Sequence, residues 1–178
     1  ASPDQIILDQ LQSEQGARFL RKRNRNIIIK VEEDVEEHDD FRWMTLGQIK
    51  ELMRYDNMVN MDTRTVLSGL KISDYLSLAD DTSRLSTISE HLSWLSSLKS
   101  RYDLKVHPFP LRKMTDWRVL AGEISREDGK YFKVVGVKVT ISNREVSSWC
   151  QPLIQPMQQG ICAFIIKKIN GVYHFMVQ

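Results

Sequence analysis

Cysteine is scarce in this chain: Cys150 and Cys162 are the only two among 178 residues. Two thiols cannot form a disulfide framework, and so few of them point to a reducing compartment. Neither sign of charge dominates, and a formal net charge of +2 gives no reason to expect nucleic acid as a partner. No apolar run approaches membrane-spanning length and no signal peptide opens the chain, so a soluble cytoplasmic protein without a membrane partner is expected. The four histidines, His38, His91, His107 and His174, share no ligand spacing, and no metal site is expected. Gly-x-Gly-x-x-Gly and P-loop motifs are both missing, which excludes those two routes to nucleotide recognition. No internal repeat or low-complexity tract is present.

What is present suits one domain, with 42% hydrophobic residues to supply a core. Ser2-Pro3-Asp4-Gln5 reads as an N-cap, a proline at the first helical position and a closing capping box. It predicts an opening helix with Ile7, Leu8 and Leu11 as its apolar stripe and Gly16 as an interruption. Residues 18–25 then hold five basic side chains within eight positions. Nucleic-acid binding is one reading of that cluster. The acidic run at 32–37 follows closely, however, and a mutually neutralising surface is the commoner outcome. Between the two lies a β-branched strand at 27–31.

The segment 41–68 has helix grammar. Thr45 and Gln48 form a capping box, and Leu46, Ile49, Leu52 and Met53 share one helical face. Tyr55-Asp56-Asn57 interrupts the pattern, and a second short helix can start near Asn60 with Asp62 in its first turn. Asn60, Asp62, Thr63 and Arg64 at this joint form one wall of a phosphate site if the free N–H groups and Arg64 meet an anion. The ordinary alternative is an Asn or Asp cap with an Arg paired to a surface carboxylate. Farther on, 73–83 reads as polar loop, and Leu85, Ile88, Leu92, Leu95 and Leu98 predict an amphipathic helix over 84–101. His107-Pro108-Phe109-Pro110 is an extended connector.

The last third switches to strand periodicity. Residues 130–141 alternate, with Tyr131, Val135, Val137, Val139 and Ile141 on one face. Strands over 161–169 and 172–177 flank Asn170-Gly171, which predicts a type I′ hairpin pairing Ile169 with Val172, Lys168 with Tyr173, Lys167 with His174, and Ala163 with Gln178. One face then carries Phe164, Ile166, Tyr173, Phe175 and Val177 as core. The other carries Lys167, His174, Met176 and Gln178, a mixed face suited to a cleft. Helices followed by an antiparallel-rich sheet give an α+β fold. Within 143–156, an extended backbone puts Trp149, Gln151, Leu153 and Gln155 on one side. An aromatic plate beside two amides can stack on and hydrogen-bond a pyrimidine, or Trp149 can simply be core. Cys150, lacking basic activation, reads as a structural thiol.

Four ordered motifs resemble the NDP-hexose 2,3-dehydratases. They are Leu11-Gln-Ser-Glu-Gln-Gly-x-Arg-Phe-Leu-x-Lys-Arg-Asn-Arg-Asn26, Trp43-Met-Thr-Leu-Gly-Gln-Ile49 with 57–68, Asn143-Arg-Glu-Val-x-Ser-Trp-x-Gln-Pro-Leu153, and Gly171-Val-x-His-Phe-x-Val-Gln178. The resemblance implies a Nudix-hydrolase-like mixed or antiparallel sheet with flanking helices, in an enzyme built of two such halves. This chain matches the second half, with residues 1–26 as a connecting helix and basic segment and 27–178 as the Nudix-like domain, incomplete at its end. It implies a nucleotide-sugar substrate, an NDP-4-keto-6-deoxyhexose of the dTDP-glucose type, a homodimer, and no redox cofactor or metal. His174 and Glu145 become candidates for proton transfer, with Lys167 beside His174 disfavouring the imidazolium. Asn60, Asp62, Thr63, Arg64, Arg144, Trp149, Gln151, Gln155 and Gln178 become candidates for substrate binding. The paired glutamates of a Nudix box are missing after Arg144-Glu145, so pyrophosphate hydrolysis is not expected. Two roles stay open: part of a lyase that contributes to elimination directly, or a nucleotide-sugar-binding and dimerisation module of such an enzyme.

Overall fold

The computed structural model describes residues 2–14, 18–71 and 83–178. Gly16 and, apart from Ser83, the loop expected over 73–83 lie outside the described residues. The described elements are strands β1 (Ile6–Ser13), β2 (Arg23–Val31) and β3 (Arg42–Thr45), helices α1 (Leu46–Leu52), α2 (Met61–Ser68) and α3 (Ile88–Arg101), and strands β4 (Trp117–Leu120), β5 (Glu123–Arg126), β6 (Phe132–Thr140), β7 (Ser148–Pro156), β8 (Gly160–Ile169) and β9 (Val172–Val177). They form a five-stranded sheet ordered β1-β2-β8-β9-β3 and a four-stranded sheet ordered β4-β5-β6-β7. The α+β class therefore holds. The chain divides into two compact units, one of Ala1–Gln10, Asn26–Lys105 and Ile161–Gln178, the other of Leu11–Arg25 and Val106–Gly160.

In the first unit the core forms where α1 and α2 lay their apolar stripes on the sheet. Leu46, Ile49 and Leu52 of α1 and Val66 and Leu67 of α2 join Ile28, Met44, Phe164, Ile166 and Phe175 in one buried cluster. Ile28, Ile166 and Phe175 are fully buried, and the rings of Phe164 and Phe175 meet edge to face at 5.6 Å. Burial of each such side chain contributes about 1.5–3 kcal/mol. The β8–β9 hairpin has the expected register, with Ile169 opposite Val172, Lys168 opposite Tyr173 and Lys167 opposite His174. Asn170 and Gly171 both adopt positive φ, 51° and 85°, as a type I′ turn demands.

The opening helix is not there. Ser2 and Gln5 do close a capping box, but it caps a single 3-10 turn over Pro3–Gln5, and the chain then runs as β1. Ile6, Ile7 and Leu8 supply the stiff apolar side chains that favour a strand beside β2, and tertiary pairing overrides the local helix signal. Leu8 is buried while Leu11 is 52% exposed, so the stripe assigned to a helix is the start of a sheet edge. Helix α3 also starts later than expected. Thr87 accepts from the Glu90 amide at 3.2 Å, and Glu90 in turn accepts from the Thr87 amide, which fixes the N-terminus and leaves Leu85 outside.

In the second unit β6 pairs antiparallel with β7 along its whole length, from Phe132 opposite Pro156 to Thr140 opposite Ser148. Trp149, Gln151 and Leu153 alternate with more exposed neighbours, and Gln155, two residues on along the same strand, lies on their side of it. Lys22 pairs with Glu14 at 2.9 Å, and Arg18 and Lys22 lie 5.0 and 4.7 Å from the Phe19 ring centroid. The acidic run has its partners in the first unit: Glu32 meets Lys30 at 3.2 Å, and Asp34 is bonded to Lys167.

Candidate functional site

The first unit holds a cleft of about 700 Å³, a volume typical of small-molecule sites. Three local structures make its walls. Thr45 caps α1 by accepting from the Gln48 amide at 3.2 Å, while the Gln48 side chain accepts from the Thr45 amide at 3.0 Å and donates to the Ser86 carbonyl at 2.5 Å. Asn60 caps α2 by accepting from the Thr63 amide at 2.7 Å. Arg64 then reaches back across the joint and donates to the carbonyl of Met53 at 2.9 Å, holding the end of α1 to the start of α2. Helix α3 supplies Trp94 and Leu95, and the sheet supplies Met44 and Val177.

The cap reading of the joint is therefore the one found, with a difference: Arg64 meets a helix-end carbonyl rather than a surface carboxylate. Of the residues predicted from that joint, Asn60, Thr63 and Arg64 line the cleft, as does Gln178, while Asp62 is exposed in the first turn of α2 outside its lining. Among the described residues, Arg64 is the only charged one on the wall. Methionines 44, 58 and 61 with Ile49, Leu52 and Leu95 make the rest largely apolar. Gln178 is itself held by donation to Asp40 at 2.9 Å.

His174 is not part of this wall. Met44 pairs with Phe175 and Thr45 with His174 across β3 and β9, and cross-strand partners share a face of the sheet. Met44 lines the cleft, so the cleft lies on the Phe175 and Val177 side, opposite to that expected. His174 is fully buried on the other face. Its Nδ1 lies 3.1 Å from the Val172 carbonyl, and its Nε2 has no hydrogen-bond partner. Alternation gave the right register for β9, but both faces of the strand are covered, so polarity did not mark the open one.

The second group of predicted residues belongs to the second unit. Arg144, Glu145 and Trp149 border an open hollow with Asn143 and Val146, Glu145 standing exposed in the turn between β6 and β7. The Trp149 indole N–H donates to the Gln151 side-chain oxygen at 3.0 Å, so plate and amide are indeed joined. Gln155 lies further along the same strand face, opposite Lys133. Trp94 and Asn57, two cleft residues, were missed. Trp94 does not belong to the leucine stripe of α3, and Asn57 reaches the wall through a left-handed turn, φ 58°, that spacing does not announce.

A largely apolar cleft with one guanidinium and several amides can hold a small, flat, anionic molecule. Kinship says which kind of protein carries it. The family model described as NDP-hexose 2,3-dehydratase matches residues 1–70 and 88–178, and the chain belongs to that family. It is similar to the dTDP-4-dehydro-6-deoxy-alpha-D-glucopyranose 2,3-dehydratase of Amycolatopsis orientalis, 46% identical over 99% of this chain and 36% of that protein. The proteins of the same name from Saccharopolyspora spinosa and Streptomyces violaceoruber are 43% and 39% identical, over 97% and 98% of this chain and 39% and 41% of theirs. The chain thus spans between 36% and 41% of the length of these curated relatives.

Proposed function

We propose that this chain is part of a 2,3-dehydratase that removes water across C2–C3 of an NDP-4-keto-6-deoxyhexose, and that its cleft holds the nucleotide diphosphate portion. Family membership over most of the chain carries this reading. In the proposed reaction the 4-ketone acidifies the C3 hydrogen and a base takes it, giving an enolate. The C2–O bond then breaks as an acid protonates the departing hydroxyl, and the resulting enol tautomerises to a 3,4-diketo sugar. Electrons and atoms balance with water as the only by-product. The protein must supply a base, an acid and donors for the enolate oxygen.

For proton transfer we retain Glu145 and His174. Glu145 is exposed and accessible to a sugar. His174 is fully buried on the face away from the cleft, so its unpartnered Nε2 can act as a base only on a sugar that reaches that face. Arg64, Asn60, Thr63 and Gln178 are proposed to bind diphosphate and ribose in the first unit; Arg144, Trp149, Gln151 and Gln155 are proposed as substrate-binding residues of the second unit, taken by itself. A Nudix-hydrolase-like architecture, a homodimeric enzyme and a cytoplasmic location are proposed from the same resemblance. Among the described residues no helix is long and apolar enough to cross a membrane.

A second reading has an observation in its favour. Among the described residues, no lining residue of the cleft is a carboxylate, imidazole or lysine, so the described wall offers binding without an obvious proton acceptor. On that reading the chain is a nucleotide-sugar-binding module, and elimination is performed elsewhere in the enzyme. Turnover of the full-length enzyme separates the two. Loss of kcat by about a hundredfold in Glu145→Ala or His174→Gln supports direct participation. Unchanged kcat in both, with KM raised by Arg64→Ala, supports the binding module.

A further inference from the structure

Trp94 is the aromatic wall of the cleft, and its surroundings decide what that wall can bind. Its indole N–H donates to the Asp39 carbonyl at 2.9 Å, and the Arg42 guanidinium carbon lies 5.7 Å from its ring centroid. The first contact uses the only polar atom of the side chain. Both contacts anchor the ring before any ligand arrives. What Trp94 can give the cleft is therefore a fixed π surface, without a donor or acceptor. Met58, Met61 and Leu95 line the cleft with it, adding polarizable and apolar atoms that suit a flat ring.

A sugar ring needs partners for its hydroxyls, and the part of the wall made by Trp94, Met58, Met61 and Leu95 offers none; the amides and Thr63 lie elsewhere along the cleft. A nucleobase presents a π face that stacks on such a wall irrespective of its edge chemistry. Arg64, the one cation among the described residues of the cleft, has five N–H donors, of which one goes to the Met53 carbonyl, so it can also meet an anion. We infer that Trp94 is the stacking platform for the base of a nucleoside diphosphate whose phosphates face Arg64. The inference rests on the reading that this cleft holds the nucleotide sugar. It assigns the stacking role to Trp94 rather than to Trp149, because Trp94 shares its cleft with Arg64 whereas Trp149 belongs to the other unit.

The test uses the 178-residue chain, titrated with TDP and with inorganic pyrophosphate by calorimetry and tryptophan fluorescence. TDP is expected to bind and quench fluorescence. Trp94→Ala should weaken TDP about tenfold or more while leaving pyrophosphate affinity unchanged. Trp94→Phe keeps an aromatic face, so it should retain TDP affinity within about threefold and abolish most of the quenching, and it covers the case in which the alanine variant does not fold. TDP binding that is weakened by Trp149→Ala, or by neither tryptophan variant, overturns the platform and leaves the nucleotide reading standing. A folded chain that binds neither TDP nor pyrophosphate overturns both.

Discussion

His91 and His174 are both buried, and each has an Nε2 without a hydrogen-bond partner. For His91 burial is the main cause that pushes its pKa below the ordinary 6.5; the Arg42 charge acts the same way and Glu90 acts against it. A histidine kept neutral by the fold binds fewer protons than it does unfolded. Its contribution is present above 6.5 and is lost as pH falls toward the lowered folded value. Melting curves at about pH 7.5 and about pH 5.5 should show a drop in Tm that a His91→Gln variant shows less of. An identical drop in both would place the sensitivity elsewhere. At this scale the sequence identified the residue types better than their surroundings. Asn60, Thr63, Arg64 and Gln178 do share a cleft, whereas His174 was put on its wall because alternating polarity was read as one open face. Trp94 could not be found at all, because its value depends on Asp39 and Arg42, 55 and 52 positions away in the chain.

Among the elements, the ones legible in advance were those whose signals are local. Thr45–Gln48, Asn60 and Asn170-Gly171 each fix an end or a turn through neighbours no more than three residues away, and each stands where it was expected. Removing the Thr45 hydroxyl should therefore cost about 1 kcal/mol, read as a shift in the denaturation midpoint with an unchanged slope. Gly171 has φ 85°, and a Cβ there would meet no atom within 4 Å, so Gly171→Val should destabilise through the backbone alone, by about 1–2 kcal/mol. A neutral outcome would mean that the turn does not hold the register. Elements defined by distant pairing were misread or unseen. β1 carries a helix-like signal, since its capping box and the spacing of Ile7, Leu8 and Leu11 fit a helix as well as a strand. β4 and β5 turn at Ala121-Gly122, with φ values of 52° and 81°, and alanine there gives no hairpin signal of the Asn-Gly kind. β3 is four residues long and gains its identity only from β9.

At the scale of the whole molecule, the family was legible because its motifs are ordered and dispersed, and the family model covers the same stretches. Division into two units was not legible, since each draws on separated parts of the chain and no composition change marks the crossings. If the proposed homodimer forms, sedimentation equilibrium should give twice the 20.8 kDa chain mass, and a single-chain mass at all concentrations would contradict it for this chain. Which surface receives the nucleotide is the central point, and amide hydrogen exchange with and without saturating TDP reads it directly. Protection is expected at the start of α2, around 57–64, and on α3 around Trp94. Protection at 143–151 alone, or none, would contradict a nucleotide cleft between α1, α2 and α3.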